Sequence, residues 1–327
     1  MKELNDIYFF LFFDNMDMFE LSIWKGDWGL PSVDTECLQV LVYAKFNGIP
    51  LKINSAGNPF TTPNGSLPVL KTRNGTFNAV KDIIEFFRKE RYNTEYELSR
   101  KQCAKVMAYG TMLKEKLFPA LQFIWWIDEK NVNELIRPWY CKALPFPFNF
   151  YYPGKFERQA HTMFVTLYPL EDNITAIENK VYSEAQKCLT LLSTSLGDSQ
   201  YFLGQKPTIL DAIVYSYLAP LLKAPLPNPA LQNHLKACTN LVTFISRISE
   251  KYFANECCEY KAKENAQNIR KYSQNEFPNK RRNQLLAGLV TTLIMATYIF
   301  STGILEVSVK DSQIPDVFTE VISINDK

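Results

Sequence analysis

Leu210, Ile213, Val214, Tyr217, Leu218 and Leu221 fall at i, i+3, i+4, i+7, i+8 and i+11, an apolar stripe at helical period. Thr208-Ile-Leu-Asp211 stands directly before the stripe and reads as a capping box in which Asp takes the place usually held by Glu or Gln. A capped helix with so apolar a face must be wrapped by other elements, so the chain needs a helical layer built around this segment. Hydrophobic residues make up 46% of the 327 residues and aromatics 14%, which supplies a sizeable core.

The first hundred residues carry a different pattern. FELSIW (Phe19 to Trp24) alternates as a strand does, the loop KGDWGLP follows, and Ser32 reads as the N-cap of a helix closed by Asn47-Gly48. A short strand is expected near Leu51 to Ile53. SLPVLKTRNGTFNAV then reads as a hairpin turning at Asn74-Gly75, and DIIEFFRKER (Asp82 to Arg91) as a helix. Strand, helix, strand, then hairpin and helix, with a proline opening the hairpin, is the order of a thioredoxin-like domain. Pro68 is the expected cis-proline of that order.

After Asn93 only helices are expected: one long helix from Ser99 to Trp126, broken before Pro119, another from Ile174 to Leu196 ended by Gly197, and a last from Leu231 to Phe253. PWYCKALPFPFNFYYPG between them reads as an irregular segment wrapping the surface, because its prolines oppose regular helix. The polar stretch from Ala254 reads as a linker.

Leu285 to Leu305 holds no charged residue, although 21% of the chain is charged. As helix its twenty-one residues would extend roughly 31 Å, the thickness of bilayer hydrocarbon. Lys280, Arg281 and Arg282 precede it, and the charged residues that follow are mainly acidic, so the body is expected on the cytosolic side by the positive-inside rule. The segment reads as a membrane tail anchor. Ile7 to Phe13 is apolar too but too short to span, and it lacks a basic leader or cleavage site.

Composition excludes several function classes. A net charge of +2 gives no broad basic field for nucleic acid, so no nucleic-acid partner is expected. Seven cysteines, scattered and without CxxC spacing, argue against a disulfide framework or a zinc module and fit a reducing compartment. His161 and His234 stand far apart, so no metal site is expected. Cys257-Cys258 reads as an inert pair rather than an acylation site. Asn64-Gly-Ser, Asn74-Gly-Thr and Asn173-Ile-Thr read as unused glycosylation sequons.

A thioredoxin-like domain followed by an all-helical one resembles the glutathione transferase fold. WKGDWGLPSVD (Trp24 to Asp34), FRKERYNTEYELS (Phe87 to Ser99), LPFPFNFYYPGK (Leu144 to Lys155), YFLGQKPTILDAIVYSYLAPLL (Tyr201 to Leu222) and the RRNQ lead-in to the tail resemble the metaxins more closely, from about Met18 to Leu305. The retained tail resembles the tail-anchored type-one branch, while the loop motifs are shared with type three. The expected organisation is an extension over 1–17, a thioredoxin-like domain over 18–93, and an all-helical domain over 94–253. A polar linker over 254–284, a transmembrane helix over 285–305 and an intermembrane-space tail over 306–327 complete it.

The resemblance implies a mitochondrial outer-membrane protein whose body faces the cytosol. Its implied partners are a second metaxin and the β-barrel core subunit of the sorting and assembly machinery. Its implied work is assisting protein import and insertion of β-barrel proteins.

Two alternatives remain: a glutathione transferase-like enzyme, and a tail-anchored transferase-like regulator of membrane dynamics of the ganglioside-induced type, which lacks the WGLPS loop. A transferase places a Tyr, Ser or Cys after the first strand to ionise the thiol of glutathione. Here Trp24, Lys25, Gly26, Asp27 and Trp28 stand there, and Ser32 reads as a helix cap. The acidic residue and serine that hold the γ-glutamyl carboxylate are replaced by Ala79 and Val80. No catalytic residue and no cofactor are therefore expected. Trp24, Trp28 and Pro31 are candidate partner-binding residues, since Trp is enriched at interface hot spots. The competing reading is that the two indoles pack the loop onto its own domain. Phe146, Phe148, Phe150, Tyr151 and Tyr152 read as internal or inter-domain packing.

Overall fold

The computed structural model describes residues 19–301 apart from 56–58, 63, 74, 94–97, 172 and 277–279. Strand β1 (Phe19–Ser22) pairs in parallel with β2 (Leu51–Asn54) and antiparallel with β3 (Val69–Thr72), and β3 pairs antiparallel with β4 (Gly75–Phe77), giving the order β2-β1-β3-β4. The parallel pair requires a crossover, supplied by helix α1 (Thr35–Phe46). Thr72 faces Gly75 across the hairpin end; Asn74 lies outside the described residues. The Leu67–Pro68 peptide is cis where the chain enters β3.

Helix α1 buries Cys37, Leu38 and the whole run Val40–Ala44. A helix apolar on every side must be covered on every side. It packs on α2 (Val80–Lys89) within the sheet half and on α8 (Ile209–Lys223) from the helical half. Helix α2 is two-faced: Ile83, Ile84, Phe86 and Phe87 are buried, while Glu85 and Lys89 pair in solvent.

The helical half begins with α3 (Arg100–Met112), capped by a reciprocal Ser99–Gln102 box. It runs without a break through a π-helical turn (Leu113–Leu117) into α4 (Phe118–Trp126), with Pro119 in the first turn of α4, where its missing N–H costs little. A short turn (Glu129–Asn131) and a second π-helical turn (Val132–Ile136) lead into α5 (Arg137–Ala143), followed by α6 (Phe148–Leu167) and α7 (Ile174–Leu196), which ends at Gly197. The proline-aromatic segment is thus mostly helical rather than irregular. Pro138 occupies the first turn of α5 and Pro147 precedes α6, both positions that need no donor, and of this segment's prolines only Pro153 lies in a helix interior.

At the centre, Asp211 of α8 is fully buried. Its Oδ2 accepts from the Thr208 N–H and hydroxyl, both at 2.8 Å, and its Oδ1 accepts from the Phe202 N–H at 2.8 Å. Burial nevertheless pushes this carboxyl up to about 6, against the lowering effect of those bonds.

Two further expectations are corrected. The N-cap of α1 is Asp34, whose Oδ1 accepts from the Cys37 N–H at 2.9 Å; Ser32 is fully buried two residues earlier. A carboxylate is the stronger partner for a helix N-terminus. The stretch after Leu231 is two helices, α9 (Ala230–Ala237) and α10 (Thr239–Tyr252), divided at Cys238. There the Asn240 side chain donates to Ser193 and Gly197 carbonyls and accepts from the Leu241 N–H, competing with helix continuation. Within the stretch read as a polar linker, Ala254–Glu276 form helix α11.

Residues as far as Lys263 form one compact unit and those from Glu264 a second. The second contains the end of α11 and helix α12 (Lys280–Ser301), on which Leu285, Leu286, Leu289, Val290, Leu293 and Ile294 are all exposed. Among the described residues no helix is long and apolar enough to cross a membrane. The structure therefore does not support the span expected over 285–305. Residues 302–305, the expected tail over 306–327 and the expected extension over 1–17 lie outside the described residues.

Candidate functional site

The loop between β1 and α1 carries the candidate residues, and its conformation is set by close approach. A Cβ on Gly26 would lie 2.3 Å from the Leu30 carbonyl oxygen and 2.6 Å from that of Pro31, so only glycine fits. Trp28 has φ 55° and Gly29 φ 73°, two consecutive left-handed residues, the first of them strained for a side chain of that size. Asp27 holds the turn. Its Oδ1 accepts from the Trp28 N–H at 2.8 Å, and its Oδ2 accepts from Trp139 Nε1 of α5 at 3.0 Å.

Both indoles face inward. Trp28 is 6% exposed and stacks on Trp125 of α4, with Trp139 tilted beside it at 6.3 Å. Trp24 is 4% exposed and meets Tyr140, Tyr152 and Phe156 edge-on at 5.4, 6.0 and 6.1 Å. Pro31 is buried as well. Their burial removes the exposure on which the partner-binding reading of Trp24, Trp28 and Pro31 depended, and the indoles pack onto the helical half rather than, as the competing reading had it, onto their own domain. They form the seam between the sheet half and the helical half. Phe146, Phe150 and Tyr151, read as internal packing, are instead exposed, Phe146 by 80%. Phe148 is half-buried against Phe60, with ring centroids 4.5 Å apart, and of this group Tyr152 alone is buried.

Beside the seam lies a cleft of about 520 Å³. The start of α1 (Asp34, Thr35, Glu36) and the segment before the cis-proline (64–67) form one wall; Gln122, Lys155 and Gln159 of α4 and α6 line the other. Burial raises the carboxyls of Asp34 and Glu36, and the charge of Asp34 raises Glu36 further. Burial also raises the Cys37 thiol strongly and lifts the Tyr140 hydroxyl far above its ordinary range. Neither group is set up to give a nucleophile near neutral pH. Ser32 Oγ accepts from the Asp34 N–H at 3.4 Å and is wholly enclosed, so it cannot reach a ligand in the cleft. At the α2 N-terminus, Ala79 offers no side-chain hydrogen bond. Among the described residues no group of three His, Cys, Asp or Glu could hold a metal.

Over 292 residues the chain is 43% identical to "Metaxin-1" of Bos taurus, covering 88% of this chain and 91% of that protein. The chain belongs to the metaxin family. It is also 43% identical to "Metaxin-3" of Xenopus laevis over 241 residues (73% of this chain, 78% of that one), and 30% identical to the "Metaxin-1 homolog" of Caenorhabditis briggsae over 316 residues. Residues 37–157 match the family described as an outer mitochondrial membrane transport complex protein, and residues 185–248 match the glutathione S-transferase C-terminal domain. Among solved structures, the Sphingobium beta-etherase LigF aligns with TM-score 0.51 at 12% identity, over 74% of this chain and 99% of that one. A glutathione S-transferase of Ceriporiopsis subvermispora aligns with TM-score 0.51 at 16% identity, over 72% and 98%. At such identities the likeness shows the fold alone: a small N-terminal sheet followed by a helical domain, as in glutathione transferases.

Sequence reasoning singled out the two indoles but missed their partners Asp27, Trp125 and Trp139. Trp125 and Trp139 lie about a hundred residues along the chain, and nothing in local spacing links them to the loop. The adjacent Asp27-Trp28 pair was the one available signal.

Proposed function

We propose that this metaxin is a non-enzymatic subunit of the protein-transport machinery of the mitochondrial outer membrane, which assists protein import and the insertion of β-barrel proteins. Its partners in this reading are a second metaxin and the β-barrel core subunit of the sorting and assembly machinery. The body faces the cytosol and the tail the intermembrane space. The observation that carries the reading is the family match across both halves, joined to a transferase fold in which Trp24 stands where a thiol-activating hydroxyl is needed.

In the same proposal, residues 285–305 are the membrane tail anchor. The apolar run of α12 is exposed around its circumference, an arrangement costly in water and suited to lipid, and Lys280, Arg281 and Arg282 stand at its start. The domain boundaries at 93 and 253 belong to the same proposal; the first is supported by the passage from mixed strands and helices to helices alone.

Affinity capture of the full chain from detergent-solubilised mitochondria, with identification of what co-purifies, tests the function. A β-barrel assembly subunit and a second metaxin are expected. Capture without any outer-membrane transport component, together with glutathione conjugation by the purified chain, would instead favour the enzyme reading that the persistent cleft keeps in view.

A further inference from the structure

Cys257, which the sequence reading set aside as inert, lies in a built contact. It sits in the first turn of α11, half-buried, and its Sγ is 3.4 Å from Nζ of Lys223 at the C-terminal end of α8. Both groups share one acceptor: the Gly29 carbonyl receives Lys223 Nζ–H at 3.3 Å and the Cys257 thiol at 3.4 Å. Gly29 is shaped to the contact, since a Cβ there would lie 3.6 Å from Cys257 Cα and 3.8 Å from its sulfur, on a backbone with φ +73°. Three chain segments thus converge on one amine and one thiol.

We propose that Lys223 and Cys257 form a reversible covalent sulfur–nitrogen staple when the chain meets hydrogen peroxide. In the first step the Cys257 sulfur attacks one peroxide oxygen. The O–O bond breaks, an S–O bond forms, and water leaves, the sulfur being oxidised to sulfenic acid as the peroxide is reduced. In the second step the neutral amine of Lys223 attacks that sulfur. The S–N bond forms as the S–O bond breaks, and hydroxide leaves with the amine's proton as a second water. One peroxide is consumed, two waters are released, and the chain loses two hydrogens.

The amine must be neutral to attack, and desolvation holds the Lys223 ammonium below its ordinary range. Cys258 is a poor competitor. Neighbouring residues of a helix do not face each other, and adjacent Cα atoms about 3.8 Å apart are closer than the roughly 4.4 Å a disulfide needs. The staple would fix the first turn of α11 to α8 and the Gly29 loop. This inference does not depend on the transport reading.

The test is peptide mapping of the full chain in detergent after brief treatment with low hydrogen peroxide. A peptide joining Lys223 to Cys257, lighter by two hydrogens and released by dithiothreitol, is expected in the parent and in Cys258→Ser. It should be absent from Cys257→Ser and from Lys223→Arg, which keeps the charge but cannot attack. In Lys223→Arg, Cys257 should instead proceed to sulfinic acid several times faster than in the parent. A disulfide between Cys257 and Cys258, or Cys257 over-oxidised at the same rate in the parent and Lys223→Arg with no joined peptide, would overturn the proposal. Melting of Cys257→Ser and Lys223→Arg beside the parent shows that loss of the link is not loss of fold.

Discussion

The indoles of Trp28 and Trp125 lie 5.8 Å apart at their ring centroids with planes only 6° from parallel, although 97 residues separate them in the chain. One ring belongs to the loop where a transferase would keep its thiol-activating group, the other to helix α4 of the helical half. The stack makes this loop a structural joint between the two halves. The left-handed backbone of Trp28 is the strain this joint tolerates.

Truncating either indole should behave as a core deletion. Trp28→Ala loses the stack on Trp125, and Trp24→Ala loses three edge contacts. Each should cost about 3–5 kcal/mol of stability, measured by denaturant unfolding, with abundance and partner capture falling together. Unchanged stability with selective loss of one partner would restore the docking reading that burial has displaced.

Asp27 should be sensitive to a change of one atom. An amide can accept one of its two hydrogen bonds but not both, so Asp27→Asn leaves either the Trp28 N–H or Trp139 Nε1 without an acceptor. The expected cost is about 1–3 kcal/mol, with a change in tryptophan fluorescence as the Trp139 indole is released. Gly26→Ala should be worse than either, because its new Cβ meets two backbone carbonyls rather than a movable side chain; expression yield and melting temperature would both drop.

Much of the sheet half and the central helix was legible, because those elements are specified locally. The Asn47-Gly48 stop, the hairpin before Phe77, and the Thr208–Asp211 box each depend on residues within a few positions of one another. The Phe146 to Tyr152 stretch was misread for the opposite reason. Its aromatic content suggested burial, but which rings are covered depends on α6 presenting Tyr152 inward and Phe150 and Tyr151 outward, a fact of helix phase fixed by packing. The site was half legible: Trp24, Ala79 and Val80 could be read in the positions where a transferase keeps polar groups, whereas the seam itself exists only through contacts with α4, α5 and α6. Ser32 lost its expected cap role because Asp34, two residues on, reaches the Cys37 N–H.

Asp211 should leave a mark on the pH dependence of stability. Its folded-state value of about 6 lies above the ordinary 3.8, so the folded chain holds this proton more tightly than the unfolded one. The group's contribution is fully present below about pH 4 and is lost as pH rises through about 6. The shift corresponds to on the order of 3 kcal/mol. Asp211→Asn removes the titration along with part of the cap. The stability advantage of the parent over this variant should therefore shrink by about that amount between pH 4 and pH 7, read from denaturant melts at each pH. A pH-independent difference would show that Asp211 stays ionised throughout.

The proposed anchor makes the last prediction. The body through Lys263 has its own core, and the exposed apolar run from Leu285 is confined to α12. A chain ending at Lys280 should then be recovered in the cytosolic fraction, while the full chain stays in carbonate-washed mitochondrial membranes. The anchor is only moderately hydrophobic, because Thr291 and Thr292 interrupt it and turn their hydroxyls back onto the helix carbonyls of Ala287 and Gly288. Replacing both by leucine should raise its apolar transfer energy, since Leu contributes favourably at about −0.3 to −0.6 kcal/mol per residue on the insertion scale. Some molecules should then be redirected to the endoplasmic reticulum, which imaging of a tagged chain would reveal. A chain ending at Lys280 that remained in carbonate-washed membranes would show that the attachment lies in the body, and the tail-anchor reading would fall.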